Sequence, residues 1–427
     1  MLPKNGEHGD DFRIGRLVAR HAAVAVEEAL ADTRIVVIQG ARQVGKSTLA
    51  RQVAQGRNSR MVTLDDKDQR AQAGADPVAF FEQHPHGLLV IDEVQRVPRL
   101  AVALKLVVDR DPGPGRFLLT GSANLNRLPA TEDSLAGRAE DVELHGFCQG
   151  ELAGSRERFI DRLLAGDPFT GYTSVLTRAD YLVLAETGSY PEALAREPGK
   201  RRRLWLSNYA ARIATRHADE VSGLQRHFEL PTLLRLLAAR TATELNVTSV
   251  ASELGMPRRT LDPYLDLLET LYLIQRIPAW HNKTWRRLVS RPKVALLDTG
   301  LSARLAGVTA GPGTDFGALT GPLIEAFVGG ELRRQLGWTE EQAELFHYRD
   351  HEGGEVDFIL ATPDGRVAGV EVKAASGASA HDARWLAMLR DRLGERFVRG
   401  VVLHTGSSAG SLGDRITSAP IDLLWNA

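Results

Sequence analysis

Cysteine is almost absent from this 427-residue chain, with Cys148 the only one. A single thiol excludes an intramolecular disulfide and a Cys-based zinc site, so the composition reads as that of a reducing compartment. Charge of one sign is lacking too. Fifty-three Lys and Arg stand against fifty-four Asp and Glu, a formal net charge of −1, which argues against a histone-like polycation or a strongly acidic chaperone. That balance says nothing about local patches. No apolar run approaches the roughly eighteen residues needed to cross a bilayer. The opening MLPKNGEHGDDF holds no apolar signal core. The expectation is a cytoplasmic protein without a membrane partner.

What is present is enough to build real cores: 43% of the residues are apolar. At roughly 150 residues per domain, the length predicts about three domains. Repeats and low-complexity segments are not evident. Residues 14–31 have amphipathic helical spacing, and RIVVIQG (34–40) follows as a short apolar run ending in glycine. MVTLDD (61–66), GLLVIDE (87–93) and RFLLTGS (116–122) are similar runs with helical segments between them. Strands alternating with helices predict a parallel sheet covered on both faces. Residues 151–215 read as mostly helical, and 228–275 as shorter helices. Strands are expected at 292–298, at three positions within 345–374 and at 397–404. Helices are expected at 321–337 and about 380–393.

GARQVGKS, Gly40 to Ser47, fits the G-x-x-x-x-G-K-[ST] pattern with a strand before it and a helix after it. Glycines let backbone N–H groups wrap phosphates, and the helix N-terminus adds its positive end. The candidate cradle is Gly40, Ala41, Arg42, Gln43, Val44, Gly45, Lys46, Ser47 and Thr48. In this pattern Lys46 reaches the β- and γ-phosphates of ATP and Ser47 ligates Mg²⁺. The run LLVIDE brings Asp92 to the same ion and Glu93 to the attacking water, as candidate general base. Thr120 and Ser122, ending the next run, are candidate sensors of the γ-phosphate or simple turn residues. Arg138 reads either as an arginine finger toward a neighbouring subunit or as a surface ion pair.

GARQVGKST, VIDEVQRVPRL and LLTGSANL together resemble the prokaryotic AAA-family ATPases that carry a C-terminal DUF4143 region. GSYPEAL, RRRLWLSNYAARI, PKVALLDTGL, GPLIEAFVGGEL and EVDFIL…VEVK agree with that resemblance. Two segments depart from the family pattern: LHGFCQGEL, and Arg216-His217-Ala218-Asp219 where the family tends to place Arg next to Asp. The resemblance implies an α/β fold built on a P-loop NTPase parallel sheet of AAA type. It also implies ATP binding with hydrolysis, and a ring-like homo-oligomer by analogy. The domains are then expected at 1–150 (ATPase core), 151–227 (helical lid), 228–288 (winged helix-turn-helix) and 289–427 (a small α/β nuclease-like domain).

Residues 246–269 look like a helix-turn-helix that sets Arg258, Arg259 and Thr260 at the start of its second helix, with Asp262, Asp266 and Glu269 opposing phosphate contact. Two acid-free basic stretches flank it. One holds Lys200, Arg201, Arg202, Arg203, Arg212 and Arg216. The other holds Arg276, Lys283, Arg286, Arg287, Arg291 and Lys293, with Trp280 and Trp285 interleaved. Such stretches suit DNA or RNA, or else a solvated or inter-subunit face.

Further on, Glu325 on a helix, Asp357 on one strand, and Glu371 and Lys373 on the next are similar to the PD-(D/E)xK nuclease core. There Asp357 and Glu371 would hold a second Mg²⁺. An ordinary salt-bridge pattern on exposed hairpin strands is the plainer reading. Three functions follow: an Mg²⁺-dependent ATPase coupled to nucleic-acid or protein handling, an ATP-regulated nuclease, or a nucleotide-controlled protein-interaction switch that touches no nucleic acid.

Overall fold

Four of the short apolar runs become strands of one parallel sheet. In the computed structural model, which describes residues 17–122, 135–213, 230–281, 291–308, 317–350 and 353–427, β1 (Ile35–Gln39), β2 (Ser59–Thr63), β3 (Leu88–Asp92), β4 (Phe117–Gly121) and β5 (Ala139–Glu143) lie in the order β2-β3-β4-β1-β5. All four pairings are parallel. Every residue of β1, β3 and β4 is buried, as expected of inner strands with both faces covered. Ile35, Val37, Leu89, Ile91, Phe117 and Leu119 share a core with Leu100, Leu104 and Val108 of the Arg99–Arg110 helix. Each such side chain contributes about 1.5–3 kcal/mol by leaving water. Because β4 lies between β1 and β3, its C-terminal end emerges between the glycine-rich loop and Asp92.

The helix expected over 14–31 runs from Ala22 to Asp32. Residues 17–20 stay irregular although their spacing is helical, and Arg20 is committed to backbone carbonyls outside the helix. The described chain divides into two compact units. One comprises 17–147 with 267–273, and the other 148–266 with 274–427.

The second unit begins with helices at Gln149–Ala153, Phe159–Leu164, Arg178–Thr187, Pro191–Leu194 and Lys200–Arg212. After the Leu230–Ala238 helix come β6 (Thr243–Glu244) and a helix at Val247–Glu253. A turn at Gly255 leads into the Arg258–Thr270 helix, followed by β7 (Ile274–Ile277) and β8 (Lys293–Leu296). The three strands form a small antiparallel sheet in the order β6-β8-β7.

A six-stranded sheet carries the C-terminal region: β9 (Glu344–Arg349), β10 (Glu355–Ala361), β11 (Val367–Lys373), β12 (Phe397–His404), β13 (Gly410–Gly413) and β14 (Ile416–Pro420). Their order is β13-β14-β12-β11-β10-β9. The Thr320–Gln335 helix packs Ile324, Phe327 and Val328 into one core with Phe358, Val370 and Val401. A Cβ at Gly329 would come within 2.8 Å of the Phe358 ring, so this helix approaches β10 as closely as glycine permits. The helix expected near 380–393 spans Arg384–Leu393, and its Leu386 and Leu389 share a core with Val356, Ile359, Phe397 and Val402.

Candidate functional site

The glycine-rich loop leaves β1 and turns into the Lys46–Ala54 helix through left-handed backbone at Gln43 (φ 64°) and Gly45 (φ 102°). Gly40 sits where a Cβ would lie 2.0 Å from the Leu144 carbonyl oxygen, which only glycine tolerates. Arg20 ties the loop to the chain after β5: its guanidinium donates to the Val44 carbonyl at 2.8 Å and to that of His145 at 2.6 Å, and lies over the Phe147 ring.

Lys46 is almost fully buried and turns back on the loop, donating to the Gly40 and Ala41 carbonyls at 2.9 and 2.8 Å. Burial pushes its pKa down to about 8, against the pull of Glu93 and Asp92. The Ser47 hydroxyl donates to Asp92 Oδ1 at 2.7 Å, the Thr120 hydroxyl bonds the same oxygen, and Thr63 reaches Asp92 Oδ2 at 3.5 Å. Among the described residues Asp92 thus faces three hydroxyls and no cation at hydrogen-bond distance.

Glu93 adopts left-handed backbone (φ 60°, ψ 46°), and its N–H donates to Thr120 Oγ1 at 3.2 Å. For a non-glycine residue this conformation is a local cost retained at an acidic strand end. The Ser122 hydroxyl donates to Glu93 Oε2 at 2.8 Å, and Gln95 donates to both. The structure therefore brings Lys46, Ser47, Asp92, Glu93, Thr120 and Ser122 to one end of the sheet. Arg138 is elsewhere engaged, in a two-pronged pair with Asp109 at 2.7 and 2.9 Å.

Sequence reading missed Arg20, Thr63 and Gln95. Gln95 had a signal, lying three residues beyond Asp92 in VIDEVQ, whereas the roles of Arg20 and Thr63 depend on distant segments.

The C-terminal carboxylates also come together, and they are not on exposed hairpin strands. Asp357 and Glu371 are each 7% exposed, and β11 is an inner strand between β10 and β12. Sequence reading missed the residue at their centre. Lys293 of β8, only 2% exposed, places its Nζ 2.7 Å from Glu325, 2.9 Å from Glu355 and 3.1 Å from Asp357. Asp357 Oδ2 accepts the Val372 N–H at 2.9 Å. Glu371 Oε1 accepts from Lys373 at 2.5 Å, and Glu371 Oε2 accepts the Asp357 N–H at 3.4 Å.

Burial, reinforced by Asp357, pushes Glu371 up to about 7 and holds Glu325 well above the ordinary carboxylate range. For Lys293 burial acts downward, but Asp357, Glu325 and Glu355 overcome it and raise the group.

These contacts account for Lys293, Trp280 and Arg276 of the second basic stretch without nucleic acid. Lys293 is an internal ion-pair partner, Trp280 is 3% exposed in a core with Phe346 and Tyr348, and Arg276 is paired with Asp266 at 2.6 Å. In the first stretch Arg202 is half-buried, donating to the Ala193 and Arg196 carbonyls and to Thr187. Arg216, Lys283, Trp285, Arg286 and Arg287 lie outside the described residues.

Residues 32–153 match the model of an AAA domain, 178–311 that of a domain of unknown function, DUF8612, and 320–424 that of DUF4143. Among curated proteins the chain is similar to uncharacterized proteins of Mycobacterium tuberculosis and Mycobacterium bovis. Each is 27% identical over 409 residues, covering 95% of this chain and 84% of the relative. Among solved structures, AMPPCP-bound DnaA from Aquifex aeolicus is matched at 13% identity over 62% of this chain and 93% of that one, with a TM-score of 0.28. The Thermotoga maritima RuvB Holliday junction branch migration motor is matched at 14% identity over 66% of this chain and 98% of that one, with a TM-score of 0.24. The chain carries an AAA-type domain built on a parallel α/β sheet, followed by a C-terminal DUF4143 domain.

Proposed function

We propose that this chain binds Mg²⁺·ATP at the Gly40–Thr48 loop and hydrolyses it with Glu93 as general base. The observation that carries this reading is the hydroxyl-lined carboxylate: Asp92 and Ser47 are 2.7 Å apart at the foot of the loop. A hydroxyl and a carboxylate are hard oxygen donors of the kind Mg²⁺ takes together with phosphate oxygens. Lys46, released from the Gly40 and Ala41 carbonyls, exchanges those two bonds for phosphate oxygens. Bound Mg²⁺ supplies charge neutralisation across the phosphates. Glu93 accepts the proton of the attacking water, and Ser122 and Gln95 hold the Glu93 carboxylate in a single orientation. Measured by phosphate release, Glu93→Gln should lower turnover by about 10²–10³-fold while leaving nucleotide affinity nearly unchanged. Undiminished turnover would reject Glu93 as the base.

The work coupled to this cycle is read as handling of nucleic acid. Arg258 and Arg259 are exposed at the start of the second helix of the helix-turn-helix, and the opposing Asp266 is neutralised by Arg276. In a winged-helix reading, β7 and β8 form the wing. Mobility shifts of a DNA duplex should weaken steeply between low and moderate salt, with a slope reduced by about one to two when both arginines become alanine. Absence of any shift would favour the protein-interaction switch instead.

A further inference from the structure

The carboxylate cluster of the C-terminal domain is nuclease-like in residue type but differs in its cation. All four carboxylate oxygens of Asp357 and Glu371 are bonded by the protein, and two of them by ammonium groups, which repel a divalent ion that would share those oxygens. Asp357 Oδ1 is bonded by Lys293 Nζ and Oδ2 by the Val372 N–H. Glu371 Oε1 is bonded by Lys373 Nζ and Oε2 by the Asp357 N–H. The Lys293 ammonium also touches Glu325 and Glu355, so one nitrogen bridges three carboxylates from a helix and a strand. The residues present therefore do not fit a second Mg²⁺ as the cluster stands.

We propose that Lys293 is a tethered cation that takes the place of a divalent metal, holding this domain as a metal-free, non-cleaving module clamped to the β6-β8-β7 sheet. The strand that delivers it supports this. Lys293 opens β8 and projects from a different sheet into the acids of β10 and of the Thr320–Gln335 helix. The two sheets are also joined by backbone: the His347 N–H donates to the Pro278 carbonyl at 3.0 Å and the Trp280 N–H to the His347 carbonyl at 2.6 Å. The His347 ring bonds the Arg291 carbonyl at 3.0 Å, which fixes the chain two residues ahead of Lys293. The small cavity beside the ammonium, bordered by Gln275, Ala295, Glu325, Gly329 and Phe358, is mostly apolar and offers few oxygen donors to complete an ion's shell. Burying Asp357 and Glu371, with Glu325 and Glu355 partly buried beside them, is costly, and ammonium groups at 2.5–3.1 Å offset part of that cost.

The test is a Mn²⁺ titration of the nucleotide-free full-length chain, with bound ion counted by electron paramagnetic resonance. Wild type and Asp357→Asn should bind the same number of ions, since Asp357 holds none. Lys293→Met keeps the side-chain length and removes the charge, and should gain one Mn²⁺ per chain at about 0.1–1 mM, the range of weak carboxylate sites. That added ion should vanish in Lys293→Met combined with Asp357→Asn. Loss of one ion from wild type on Asp357→Asn alone would overturn the proposal, because a metal would then displace the lysine. So would a folded Lys293→Met that gains none. If Lys293→Met does not fold, the comparison of wild type with Asp357→Asn, repeated with Glu325→Gln, still decides.

Discussion

Two strands in this molecule carry a buried aspartate, and the partners of those aspartates make them opposites. Asp92 at the end of β3 is met by the hydroxyls of Ser47, Thr120 and Thr63. Asp357 on β10 is met by an ammonium and a backbone N–H. Hydroxyls satisfy lone pairs without cancelling charge, so the first site keeps a demand for a cation that arrives with a ligand. At the second site an ammonium already stands where a cation would bind, bridging Glu325, Glu355 and Asp357. Counting carboxylates does not separate the two; the donors around them do.

The contrast can be broken most forcefully at Lys46. Lys46→Ala should weaken ATP binding by about 100-fold or more, read by displacement of a fluorescent nucleotide, because a charge-assisted contact to phosphate is lost from a buried site. The same change should leave the Mn²⁺ behaviour of the Asp357 cluster untouched. A shared loss would mean the two sites are not independent. A smaller effect sharpens the comparison. The Lys46 pKa sits at about 8 in the ligand-free chain, so at pH 8.5 much of the group is neutral. Phosphate favours the charged form and raises the pKa, and ATP binding at that pH should take up a fraction of a proton. At pH 6.5 the group is already charged and uptake should fall to zero. Calorimetry in buffers of different ionisation heat measures this, and equal heats across buffers at pH 8.5 would contradict it.

The proposed nucleotide site was legible in the sequence because its chemistry is local. Gly40 to Ser47 are contiguous, and Asp92 and Glu93 end an apolar run, so spacing alone implied strand, loop and helix. Thr120 and Ser122 were visible as polar strand ends, and the topology then put β4 between β1 and β3. The second site was legible only in half. Glu325, Asp357, Glu371 and Lys373 could be named, but Lys293 read as one more basic residue in an acid-free stretch. Its signal was there: PKVALLD places a lysine at the start of an apolar strand, where burial demands partners that no local pattern names. The last two strands were missed for a related reason. β14, Ile416–Pro420, is buried throughout yet holds Thr417, Ser418 and a proline, so it shows no apolar run. Thr417 is accommodated only by donating to the carbonyl of Pro168, far away in the chain.

The placement of Lys293 also bears on inheritance. The acids it neutralises fall within residues 320–424, matched as DUF4143, whereas Lys293 itself falls within 178–311, matched as DUF8612. Recombination between those segments would leave Glu325, Glu355 and Asp357 without the ammonium that bridges them, so the boundary between the two matched domains is a poor place for this chain to be cut. Evolution is expected to pass the two on together, or to restore at the acids either a lysine from elsewhere or a metal.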